Sequence, residues 1–135
     1  MLQHQLRKIL KDSSHPARLR ARALHKLRAR VRRLHYSSEY LSPLFSADSS
    51  IYVEALAALQ KTLGRYNDSR VVQGMVKAVI PSCGAARAQA IAAHHHAESE
   101  LLGHRLRREF AALRRLTPFW AAGDAATESI ILAEG

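Results

Sequence analysis

Leu24-His25-Lys26-Leu27-Arg28-Ala29-Arg30-Val31-Arg32-Arg33-Leu34-His35-Tyr36-Ser37-Ser38-Glu39-Tyr40-Leu41 is the stretch that decides the fold. Leu24, Leu27, Val31, Leu34 and Leu41 recur at spacings of three, four, three and seven, with Ser38 in the vacant heptad place. Such spacings return to one side of a helix, so the stretch reads as a bundle helix with an apolar seam. Outward from it, the helix is expected to run from about Pro16 to Phe45, roughly 30 residues or ~45 Å. Asp12-Ser13-Ser14-His15-Pro16 reads as its start, with Ser14 or His15 as cap and Pro16 in the first turn. Before that break, residues 2–11 are short, basic and weakly amphipathic, and read as the tail of a preceding helix.

Downstream, Ser46 to Ser50 is a polar turn. A second helix is expected from about Ile51 to Leu63, with Val53, Leu56, Leu59, Gln60 and Leu63 inward. Gly64 is expected to close it, and Asn67 or Asp68 to cap a third helix through Val71, Val72, Met75, Val76 and Val79. Pro81 to Gly84 turns the chain into a long Ala-rich fourth helix, about Ala85 to Leu116, striped by Leu101, Leu102, Leu106, Phe110 and Leu113. Thr117-Pro118-Phe119-Trp120 ends it, and Ile130-Ile131-Leu132 lies in a tail. The resulting fold class is all-α: an antiparallel four-helix bundle with long first and fourth helices, and no internal repeat. The organisation reads as a leading segment 1–15, a bundle 16–122 and a C-terminal tail 123–135.

The charge is concentrated on the first of these helices. The chain of 135 residues carries a formal charge of +10. Its first 40 residues hold 11 Lys or Arg and only 2 acidic side chains. Between His15 and His35 there are eight Lys or Arg and no Asp or Glu. Like charges repel unless something anionic lies against them, so this element calls for a polyanion. Nucleic acid, an anionic membrane surface and a phosphate polymer all fit an isoelectric point near 10.6. No run approaches the ~18 apolar residues of a membrane span. With no apolar leader, the chain reads as soluble and cytoplasmic, and its one cysteine, Cys83, as a bystander in a turn.

On a helical wheel, His25, Arg28, Arg32, Tyr36 and Glu39 fall within an arc of roughly 60°. Arg18 lies close to this arc and Arg22 and Arg33 form its shoulder. The stripe borders the apolar seam, where a guanidinium is partly desolvated, held by packing and able to grip phosphate oxygens bidentately. A solvated face usually mixes charge signs at i,i+4 spacing, and this one does not.

His25 to Glu39 resembles the signature helix of CHAD domains, the conserved histidine α-helical domain family, approximately H-x-x-R-x-x-x-[KR]-[KR]-L-R-Y-x-x-E. Leu56, Leu59-Gln60, Leu63-Gly64 and Asn67-Asp68 resemble the family's L-x-x-L-Q-x-x-L-G-x-x-N-D stretch, and Pro118-Phe119-Trp120 its usual ending. Together these span roughly residues 16–120. The resemblance implies two four-helix bundles about a pseudo-twofold axis, with a basic groove between them that binds inorganic polyphosphate. This chain supplies one bundle, resembling the C-terminal half. His35 stands where the family usually has Arg. By the same resemblance the polyphosphate contacts are His25, Arg28, Arg32 and Arg33, with Arg18, Arg22 and Tyr36 beside them. A homodimer or a second bundle would complete the groove, at polyphosphate granules in the cytoplasm.

Other polar residues read as structural. Tyr36 is expected to pack its ring and bond through its hydroxyl, Glu39 to orient an Arg of the stripe, and Gln60 to bond at the core edge. His94-His95-His96 point in three directions on a helix, whereas His96, Glu100 and His104 share a stripe that lacks a third ligand from elsewhere, so no metal is assigned. Arg105, Arg107, Arg108, Arg114 and Arg115 either extend the anion surface or pair with Glu98, Glu100 and Glu109. The function read from the sequence is non-enzymatic polyphosphate binding without a cofactor, and the alternative is a helical nucleic-acid-binding protein. Catalysis on phosphate chains would need carboxylates holding metal ions. The 11 acidic residues form no such cluster, and the E-x-E-x-K signature of CYTH-type triphosphatases is absent.

Overall fold

The computed structural model describes residues 1–12 and 15–121. Within these it is all-helical, with four α-helices and no strand: α1 (Leu2–Asp12), α2 (Ala21–Leu41), α3 (Ser50–Cys83) and α4 (Ala85–Arg115). Helix α2 packs between α1 and α3, and α3 lies along α4. Thr62 meets Glu109, Tyr66 meets Gly103 and Gln73 meets Ser99, the falling and rising order of a helical hairpin. No helix among the described residues is long and apolar enough to cross a membrane.

The heptad seam of α2 is buried from Leu24 through Leu27, Val31 and Leu34 to Ser38, and Leu41 at its end is partly buried against the core. The helix itself is shorter than the expected run from Pro16 to Phe45. Pro16–Arg18 forms a separate 3-10 turn, and Leu19 and Arg20 are extended before α2 begins. His15 makes no side-chain capping bond there. At the other end Pro43 lies in a second 3-10 turn, Ser42–Leu44, because a proline ring clashes with the carbonyl four residues back in a continuing helix.

The helices expected on either side of Gly64 are one. Helix α3 runs unbroken through Gly64, Asn67 and Asp68 to Cys83, so neither Asn67 nor Asp68 caps anything. The balance of energies explains this. A helical glycine costs ~1 kcal/mol, whereas each fully buried leucine returns ~1.5–3 kcal/mol. Leu59 and Leu63 are buried just before Gly64 and Tyr66 just after it, so the inward stripe crosses the glycine without a gap. The real break is Gly84, whose φ of 86° lies in the left-handed region that favours glycine. The start of α3 is held by Asp48, whose carboxylate accepts the Ser50 N–H at 2.9 Å; that bond holds its pKa below the usual range.

The leading segment is a full member of the core. Leu2, Leu6 and Ile9 fall at i, i+4 and i+7 and are buried against α2. Trp120 Nε1 donates to Gln3 Oε1 at 3.0 Å, Arg114 donates to the Leu10 carbonyl at 2.7 Å, and Arg30 pairs with Asp12. Phe119 and Trp120 close this end of the bundle, with Trp120 edge-on to Tyr52 at 5.1 Å between ring centres. Three residues placed inward by the sequence reading face outward: Val71, Met75 and Leu101, the last 72 % exposed. The tail 123–135, with Ile130-Ile131-Leu132, lies outside the described residues, as does Ser14.

Candidate anion-binding groove

Burial of the α2 seam fixes the rotation of that helix, and the flank next to α3 then carries His25, Arg28, Arg32 and Tyr36. These four, with Arg33 and His35, border an open groove of about 860 Å³ whose opposite wall is Ala57, Gln60, Lys61 and Gly64 of α3. The groove holds four permanent cations, Arg28, Arg32, Arg33 and Lys61, and two histidines, and no carboxylate lines it. Among the described residues none of these four cations forms an ion pair. Cations this close repel one another, and an anion in the groove relieves that repulsion.

Local packing sets the posture of each side chain. The Arg28 guanidinium reaches across to α3, where its Nη2 would lie 3.9 Å from a Cβ built on Gly64. The absence of a side chain at Gly64 thus leaves room for Arg28 to lie low over α3. Arg32 sits over the Tyr36 ring, 5.7 Å from its centre, and the ring's negative face steadies the guanidinium. Tyr36 is half exposed and supports a cation instead of packing into the core. His35 Nε2 lies 3.3 Å from Glu39 Oε1, so Glu39 orients a histidine, where an Arg of the stripe was expected. The His35 Nδ1 is buried with no hydrogen-bond partner.

The groove gathers five of the seven site residues read from the sequence: His25, Arg28, Arg32, Arg33 and Tyr36. Two are placed elsewhere. Arg18 lies on the 3-10 turn, set off from α2 by the extended Leu19 and Arg20, and Arg22 lies on the first turn of α2; both are exposed and neither lines the groove. Lys61 was missed, and so was the part played by Gln60 and Gly64. Only half of the signal was in the sequence: Ala57, Gln60, Lys61 and Gly64 share one arc of α3 at spacings of three, one and three, but that spacing does not say that the arc faces α2.

On α4, His96 pairs with Glu100 at 3.2 Å, and His94 and His95 approach Glu98. Among the described residues no group of three or more His, Cys, Asp or Glu side chains is placed to hold a metal ion. Arg105 pairs with Glu109 at 3.1 Å, while Glu98 is taken by Arg65 of α3.

The model of the CHAD domain family matches residues 1–77. The chain belongs to the CHAD domain family. The match starts earlier than the motifs suggested, taking in α1, and ends earlier, before α4 and the Pro118-Phe119-Trp120 ending. Both walls of the groove therefore lie inside the CHAD match. CHAD domains as a family are associated with polyphosphate binding. Comparisons with curated proteins and with solved structures gave no match.

Proposed function

We propose that the α2–α3 groove of this CHAD domain binds inorganic polyphosphate, and that the chain acts by binding, without catalysis. The observation that carries this reading is the groove's composition: Arg28, Arg32, Arg33 and Lys61 border one open channel that no carboxylate lines. Phosphates in a polymer repeat the same acceptor oxygens, and Arg28 and Arg32 present donors one helical turn apart along a line. His25 adds a ring N–H donor to the same wall. Affinity arises from successive charge-assisted hydrogen bonds and counterion release, so by analogy with nucleic acids it falls steeply with salt. In the cell the protein works beside cytoplasmic polyphosphate, and a second copy or a second bundle closes the open side of the groove.

The test is retention on immobilised polyphosphate. Arg28→Ala combined with Arg32→Ala should abolish retention while the helical spectrum stays intact, and unchanged retention would sink the assignment. One observation favours a second reading. Tyr36 and Tyr40 are 51 % and 85 % exposed near the end of the stripe, a foothold for stacked bases of a single-stranded nucleic acid. Competition at matched salt separates the two, since polyphosphate should displace nucleic acid and not the reverse.

A further inference from the structure

A second cationic cleft, smaller at about 210 Å³, lies on the other flank of α2. Its walls are Met1, His4, Gln5 and Lys8 from the α1 side and Arg30 and Arg33 from α2. No carboxylate lines it. Asp12 pairs with Arg30 from outside the lining, which leaves Lys8 and Arg33 without an acidic partner among the described residues. The Gln5 side-chain oxygen is buried there without a hydrogen-bond partner. An amide turned end for end presents its NH₂ group at the same place, a donor suited to an oxyanion.

Arg33 borders both this cleft and the α2–α3 groove. Between the two runs the outer crest of α2, where Ala29 and Arg33 are neighbours one turn apart. Ala29 is exposed and small, so the crest is low at that point, and Arg33 offers a cation on top of it. A flexible chain of phosphates therefore meets cations on each side of α2 and one at the crossing.

Resting on the polyphosphate reading of the groove, we infer that a long phosphate chain crosses α2 at Ala29 and Arg33. On the far side His4 and Lys8 hold it in the α1–α2 cleft, beside the Arg30–Asp12 pair. The two sites then discriminate by length. Tripolyphosphate occupies the groove alone, whereas a long chain engages both flanks and adds the cations of the cleft.

The experiment measures affinity of the full chain for tripolyphosphate and for long-chain polyphosphate at several salt concentrations, in wild type, Lys8→Ala, Lys8→Arg and Arg7→Ala. Arg7 is exposed on the same helix outside the cleft, so its removal reports the loss of one charge alone. Lys8→Ala should weaken the long chain about tenfold and lower the salt slope by about one. Its tripolyphosphate affinity should stay at that of Arg7→Ala, and Lys8→Arg should restore long-chain binding. An equal loss for both ligands, or a loss in Arg7→Ala as large as in Lys8→Ala, overturns the crossing. Failure of the groove itself shows differently: Arg28→Ala with Arg32→Ala would leave tripolyphosphate affinity unchanged, and both readings would fall.

Discussion

The two faces of α3 use the same residue types to opposite ends. Toward α4, cations meet carboxylates: Arg65 pairs with Glu98 across the two helices, and Arg105 pairs within α4 with Glu109, which also accepts the Thr62 hydroxyl of α3 at 2.9 Å. Toward α2, Lys61 faces Arg28, Arg32 and Arg33 across a groove that no acid enters. Neutralised cations tie helices together and cost little in repulsion. Cations left facing one another weaken the free protein, and the weakness is removed only when an anion arrives. Arginine content therefore says little by itself; the whereabouts of the few carboxylates separates a seam from a site.

The sharpest way to break this comparison is to empty the groove. A hydrogen bond to a charged group contributes ~1.5–3 kcal/mol, so Arg28→Ala with Arg32→Ala should weaken polyphosphate binding at least about hundredfold. Thermal stability should hold or rise, because repulsion is relieved, and a titration beside a melting curve checks both. The mirror experiment is Glu109→Ala on the opposite face. It removes one of the two acceptors of the buried Thr62 hydroxyl, the Ala58 carbonyl remaining at 3.0 Å, and frees Arg105, so chemical denaturation should show a loss of about 0.5–1.5 kcal/mol with polyphosphate retention unchanged. Gly64 joins the two faces. Because its Cβ would sit at ordinary van der Waals distance from Arg28, Gly64→Ala should stabilise the helix by up to ~1 kcal/mol and keep binding, whereas Gly64→Leu should lift Arg28 and weaken it. The smallest effect belongs to Asp48. Its folded pKa is lowered by the Ser50 N–H, so its stabilisation is present above the ordinary carboxylate range and fades as pH falls through the lowered value. Melting temperatures of wild type and Asp48→Asn should therefore differ slightly at neutral pH and converge in acid.

What could be read in the chain depended on whether one helix carried the signal. The α2 seam, down to Ser38, and the stripe of His25, Arg28 and Arg32 are set by one helix's period, so spacing alone recovers them. The Lys61 wall depends on which flank of α3 meets α2, and no single-helix pattern states that. Gly64 misled because local propensity was weighed without the leucines before it and the tyrosine after it, and packing outweighed it. Leu101 and Leu102 both looked inward, but adjacent residues diverge by about 100° and only Leu102 is buried. The apolar positions of α1 were visible, yet the partners that pin this helix, Trp120 and Arg114, sit at the other end of the chain.

The bond between Gln3 and Trp120 also has a consequence for how the chain is born. The two residues are 117 apart in sequence. At ~5–20 residues per second of synthesis, Trp120 follows Gln3 by roughly 6–23 s. From the time α2 is made until Trp120 follows, Leu2, Leu6 and Ile9 lean on it without the aromatic plug that completes their cover. The nascent chain thus spends seconds with a greasy, basic first helix half dressed. A polyanion engaging the α2 stripe in that window would meet the groove before the bundle is closed.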